Sequence, residues 1–137
     1  MPLTFRLDRK AHVIVAAAYG TLTDDQVFDY QREISSRNDT IGYDELVDVT
    51  HVKEIALPST DRVRELAALA AGTDALRGSS RLAIVAPGDL AFALGRMFQT
   101  NRELDARSRR EVGVFRTTKE ALAFLRIDHP LAMPKMG

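Results

Sequence analysis

Asp48 and His51 are the two side chains whose types and spacing come nearest to an acid and its base. A carboxylate beside an imidazole can raise its pKa and orient its proton, as a hydrolytic or other acid/base enzyme requires. The same residues serve equally well as a carboxylate that accepts from loop amides and a solvated histidine. Ser59 and Thr60 follow Pro58 at an expected helix start. Hydroxyls there cap orphan amides, and a phosphate group would meet those amides and the favourable end of the helix dipole. Pro87-Gly88-Asp89 lies where a phosphate-cradling loop would lie. It lacks the glycine run and the lysine, and Asp89 would repel an anion, so nucleotide binding by this route is rejected. His12, His51 and His129 are far apart in the chain and form no ligand-spaced motif, so neither a metal nor a cofactor is expected.

Composition narrows the classes further. Nineteen basic and nineteen acidic residues cancel, which argues against a nucleic-acid binder relying on bulk attraction to phosphate. There is no cysteine, so thiol catalysis, iron–sulfur ligation and disulfides are excluded. A chain of this mass folds to roughly 7,000 Å² of surface from roughly 22,000 Å² unfolded, enough burial for a core without staples. The charged start and the short uncharged run His12–Thr23 fit neither a signal peptide nor a spanning helix. A cytoplasmic protein without integral membrane association is expected. One domain over residues 1–127 and a loose tail over 128–137 complete the outline.

Stepping along the chain, residues 3–7 alternate as a strand, Asp8-Arg9-Lys10 reads as a turn, and Val13 to Ala18 forms an apolar run suited to a strand covered on both faces. Thr23 with Gln26 has capping-box spacing, and the helix it opens carries Val27, Tyr30 and Ile34 inward. Leu46–Val49 makes the third strand, with Asp48 at its exposed carboxyl end. The second helix buries Val63, Leu66, Ala67 and Ala70, turns Arg62, Arg64 and Glu65 to water, and can stop at Gly72 or Gly78. Leu82–Ala86 is the fourth strand. The third helix places Leu90, Ala93, Leu94, Met97, Asn101 and Leu104 on one inward stripe. Arg102, Arg107, Arg109 and Arg110, interleaved with acids, read as a solvated helix end. Val112–Phe115 and a helix capped by Thr117 and Glu120, burying Ala121, Phe124 and Leu125, close the chain. The order β-β-α-β-α-β-α-β-α predicts an α/β fold with a mainly parallel five-stranded sheet and the first strand antiparallel.

That order, together with Tyr19-Gly-Thr-Leu-Thr23, Leu46-Val-Asp-Val49, Leu82-Ala-Ile-Val-Ala86 with Asp89, Ala93-Leu-Gly-Arg-Met-Phe98, Val114-Phe-Arg-Thr117 and Glu120-Ala-Leu-Ala-Phe-Leu125, resembles the SpoIIAA-like family, relatives of the STAS domain. The resemblance runs from about residue 3 to 126. It implies a sheet with helices mainly on one face, shared with STAS domains and related to the CRAL-TRIO lipid-binding fold. STAS antagonists are switched by phosphorylation of a serine in an Asp-Ser-Ser-Gly-like turn. Ser59 and Thr60 occupy roughly that place, without the preceding aspartate or the following glycine.

In such a sheet ligands favour the carboxyl ends of the strands. That edge should collect residues 19–21, 48–51, 86–89 and 116–118, Arg116 among them, beneath a loop 50–58 whose Val52, Ile55 and Leu57 form an apolar lid. On the third helix, Phe92, Gly95 and Gln99 should face away from the core, with Arg96 lying over the Phe92 ring, as a contact face for a second subunit. The reading preferred from the sequence is a non-enzymatic STAS-like regulatory or interaction module, a homodimer or the receiver of a protein partner. A carrier of a small apolar or lipid-like ligand stands second, and an enzyme using Asp48 and His51 third.

Overall fold

Val13 to Ala18 is buried residue by residue, because it forms the middle of a strand with side-chain layers on both faces. The computed structural model describes residues 3–77 and 79–135. Its elements are β1 (Leu3–Asp8), β2 (Val13–Thr23), α1 (Asp24–Ser35), β3 (Asp44–Ala56), α2 (Asp61–Arg77), β4 (Arg81–Val85), α3 (Asp89–Leu104), β5 (Glu111–Phe115) and α4 (Thr118–Phe124). The strands lie side by side in sequence order; β1 is antiparallel to β2 and every later pair is parallel. Order and fold class are those expected from the sequence.

Sequential order dictates where the helices go. Each crossover moves the chain one strand in the same direction, so right-handed connections place α1, α2 and α3 on one face. Ile14 and Ala16 meet Tyr30 and Ile34 of α1 there, while Leu82 and Val112 meet Val63, Ala67 and Ala70 of α2 and Phe98 of α3. No strand follows α4, which folds onto the opposite face, where Ala121 and Leu125 pack on Val13, Val15, Leu46, Ala83 and Val85. The caps are local. Thr23 Oγ1 accepts from Gln26 N at 3.3 Å, and Gln26 Oε1 accepts from Thr23 N at 2.9 Å. Thr117 Oγ1 accepts from Glu120 N at 3.2 Å.

Four expectations are corrected. First, β3 continues to Ala56, so residues 50–56 form a ribbon with the end of β2 instead of a loop. Thr21 is level with Glu54 and Leu22 with Ile55. Two one-residue irregularities in β3, before His51 and before Glu54, accommodate the twist. Second, α2 does not stop at Gly72, which lies inside the helix; Gly78 lies outside the described residues. Third, part of the tail expected to be loose meets the domain, at Leu131, Ala132 and Lys135. Thr4 Oγ1 donates to Lys135 O, Arg6 Nη1 donates to Ala132 O, and Leu131 joins the α4-side core.

Fourth, α3 is turned relative to the expected stripe. Gly95, Phe98 and Arg102 are buried, while Leu90 and Leu104 are 60% and 79% exposed. A Cβ at Gly95 would lie 2.9 Å from Val114 Cγ1, so the glycine lets the helix approach β5. Gln99 Nε2 donates to Val112 O at 2.7 Å, satisfying a carbonyl of that edge strand. Gly95 and Gln99 therefore belong to the inner face of α3 and not to an outward contact face.

Candidate functional site

Between the sheet and the three helices lies a cavity of about 170 Å³. Strand alternation builds its floor: Val47 and Val49 of β3 and Ile84 of β4 point to the helix side, joined by Leu22 and Ile55 from the paired ends of β2 and β3. Val27 and Phe28 of α1, Leu66 of α2, and Ala91 and Leu94 of α3 supply the roof. Two of the expected lid residues, Ile55 and Leu57, do line this space, Ile55 from a strand and Leu57 from the turn after it. Val52 does not line it; it is level with Gly20 on the ribbon.

Among the described residues, charged groups line the cavity at two places, one buried and one at its partly exposed margin, the mouth. At depth, Tyr30 Oη donates to Glu45 Oε2 at 2.5 Å, and Arg110 Nη1 donates to Glu45 Oε1 at 2.8 Å. Arg110 Nε also donates to Ser80 Oγ at 2.7 Å. Glu45 is thus neutralised and hydrogen-bonded where an unpaired carboxylate would be prohibitive. At the mouth, Arg62 spans the first turns of α1 and α2. Its Nε donates to Asp24 Oδ2 at 2.5 Å, its Nη2 to Asp25 Oδ1 at 3.3 Å and its Nη1 to Glu65 Oε2 at 2.6 Å. The guanidinium carbon sits 4.1 Å from the centre of the Phe28 ring. The hydrogen bond from Arg62 holds the Asp24 carboxyl below its ordinary pKa, and Asp24, then Glu65, raise that of Arg62. Arg62 is therefore no water-facing residue, as the sequence had it, but a bridge between two helices.

The remaining sequence candidates lie elsewhere. Asp48 is level with Val85 at the carboxyl end of β4. By alternation with Leu46 it points to the α4 side, away from the cavity. Its Oδ1 accepts from Thr50 N at 2.9 Å and from Thr50 Oγ1 at 2.5 Å. His51 is exposed beside Tyr19, and among the described residues no hydrogen bond or ion pair joins it to Asp48. Ser59 and Thr60 are exposed just before α2, and their carbonyls accept from Arg62 N and Val63 N. Arg116, not the exposed Arg96, lies over Phe92, 4.1 Å from the ring centre. Arg116 Nη1 also donates to Asp89 Oδ1 at 2.7 Å and to Pro87 O at 3.0 Å. Residues 48, 51, 59, 60 and 116 do not converge on the cavity.

The supposed solvated helix end hides the largest surprise. Arg102 and Asp74 are each 1% exposed, and Arg102 Nη2 donates to both Asp74 oxygens at 2.6 Å. Asp74 Oδ2 further accepts from Arg109 N and Arg110 N. Sequence reasoning missed Glu45, Asp74, Arg102 and Arg110 as buried groups. The one available signal was a glutamate in phase with Val47 and Val49 on a strand.

Among the described residues no group of three or more side chains is arranged to hold a metal ion, and no helix is long and apolar enough to cross a membrane. No family model matches the chain, and no curated protein matches it significantly. Among solved structures the chain is similar to an uncharacterized protein from the DUF3478 family with a SpoIIAA-like fold, from Shewanella loihica PV-4. That likeness has 19% identity and a TM-score of 0.53, and covers 90% of this chain and 93% of the other. At that identity the likeness is one of fold, and it agrees with the family resemblance carried by the sequence motifs. The chain is an α/β protein with a SpoIIAA-like fold.

Proposed function

We propose that this chain is a non-enzymatic binding module that holds a small apolar ligand between its sheet and helices α1–α3. The observation that carries this reading is the cavity itself. It measures about 170 Å³ and is walled mainly by aliphatic and aromatic side chains from β1 to β4 and from α1, α2 and α3. An apolar cavity of about 150 Å³ in another protein stays dry and binds benzene, so this volume suits a compound of that order. Apolar lining atoms that face unfilled space lack dispersion partners, and an apolar ligand supplies them. The carrier alternative read from the sequence thus gains support over the acid/base enzyme, whose Asp48 is bonded to Thr50 and points to the other face.

Native mass spectrometry of gently purified protein tests the proposal. A retained small molecule that is lost on denaturation, and lost from Ile55→Asp under native conditions while that variant stays folded, is the expected result. Failure of the protein to retain or take up any compound from an apolar extract would contradict it. Subunit count comes from the same spectrum. The exposed stripe of Leu90, Met97 and Leu104, spaced by seven residues and symmetric about Met97, supports a second reading, self-association through α3. A monomer at micromolar concentration counts against that second reading.

A further inference from the structure

The cavity's mouth carries an arginine that is fully spoken for. Arg62 is the single cation among the residues lining the cavity, and it is paired with Asp24, Asp25 and Glu65. Three carboxylates against one guanidinium leave the mouth with two excess negative charges. The Arg62 side chain bridges the first turns of α1 and α2 and covers Phe28, a residue of the cavity wall. Arg62 stands between those helix ends, so a ligand passing there displaces the guanidinium from Phe28 or from a carboxylate.

We propose that Arg62 with Asp24, Asp25 and Glu65 is the gate of the cavity and makes it selective for uncharged apolar ligands over carboxylates of the same shape. This rests on the cavity being a ligand site. The chemistry follows from charge and desolvation. An apolar carboxylate approaching the mouth meets net negative charge. If it enters, it is taken from water without a free cation to receive it, because Arg62 is engaged and Glu45 already holds Arg110. An uncharged hydrocarbon ring meets neither penalty. The aliphatic stem of Arg62 and the Phe28 ring offer it an apolar threshold.

Toluene and benzoate, matched in shape and differing in charge, are the probes, with binding and exchange followed by ligand-observed NMR on the full chain. The wild-type protein is expected to bind benzoate more weakly than toluene by about tenfold or more. Asp24→Asn combined with Glu65→Gln leaves Arg62 only its longest contact, to Asp25, and should raise benzoate affinity while leaving toluene affinity nearly unchanged. Arg62→Gln should speed toluene exchange. Equal binding of toluene and benzoate by the wild type overturns the gate and leaves the ligand-site reading standing. Toluene selectivity that persists undiminished in the Asp24→Asn/Glu65→Gln variant also overturns it. Binding of neither probe overturns both. The wild-type comparison needs no variant to fold, and Glu65 is an exposed position where replacement disturbs no core.

Discussion

Two arginine–carboxylate clusters stand at opposite ends of the same sheet and differ most in burial. At the amino ends of β3, β4 and β5, Arg102–Asp74 and Arg110–Glu45 are closed off from water and tied to backbone amides, a tyrosine and two serines. At the carboxyl ends of β2 and β3, Arg62 meets its carboxylates in a half-exposed position. Removing a partner from the first cluster strands a charge where no water can reach it. The same change in the second is answered by solvent. One end of the sheet is locked, and the other is held by contacts that water can replace, as an opening needs.

The comparison breaks most easily at Asp74. Asp74→Ala should destabilise the protein by about 3–5 kcal/mol in urea unfolding, because Arg102 is left buried and unpaired. Replacing both partners, Asp74→Leu with Arg102→Met, should restore much of that loss. A loss below 1 kcal/mol for Asp74→Ala would mean that water reaches the pair. Next in size is Gly95→Ala. Its Cβ meets Val114 in a packed layer, and the displaced side chain should cost about 1–3 kcal/mol, offset by up to about 1 kcal/mol of helix propensity. A net gain in stability would show that α3 does not sit as close to β5 as described.

The smallest effect is one of pH and sharpens the contrast from the exposed side. Hydrogen bonds from Arg37 hold Asp39 at about 2, and hydrogen bonds from Arg107 hold Asp105 at about 2. Asp24 is lowered too, by Arg62. Carboxyls with depressed pKa contribute stability that is present above their unfolded values near 4 and is lost as pH falls toward 2. Unfolding free energy should therefore decline in that window. The decline should be shallower in Arg37→Ala, because Asp39 then keeps only Arg9 and titrates nearer its unfolded value. An identical pH slope in that variant would remove Asp39 from the account.

The fold was readable because its signals are local and agree with one another. Apolar runs at Val13–Ala18 and Leu82–Ala86 mark covered strands, and Thr23 and Thr117 mark helix starts with their own hydrogen bonds. Where the reading failed, tertiary contacts overrode composition. His51, Lys53 and Glu54 look like a loop because that part of the ribbon faces water, although it is paired with β2. The apolar weight of Leu90, Met97 and Leu104 pointed α3 the wrong way, since its true seam sets a glycine, a glutamine and an arginine beside Leu94 and Phe98, and their partners lie on other elements. No local pattern distinguishes a buried arginine from a solvated one. Arg102 meets Asp74 across 28 positions and Arg110 meets Glu45 across 65. The cavity was legible only in part, through Ile55 and Leu57, because the rest of its wall is the ordinary inner face of three helices.

The central claim, a ligand site between the sheet and α1–α3, is tested most directly by a methyl-resolved NMR spectrum of the protein titrated with toluene. The account predicts saturable shifts at Val27, Val49, Ile55, Leu66, Ile84 and Leu94, with Leu90, Met97 and Leu104 on the outward face of α3 unmoved. Shifts confined to that outward stripe, or none at all, would contradict it.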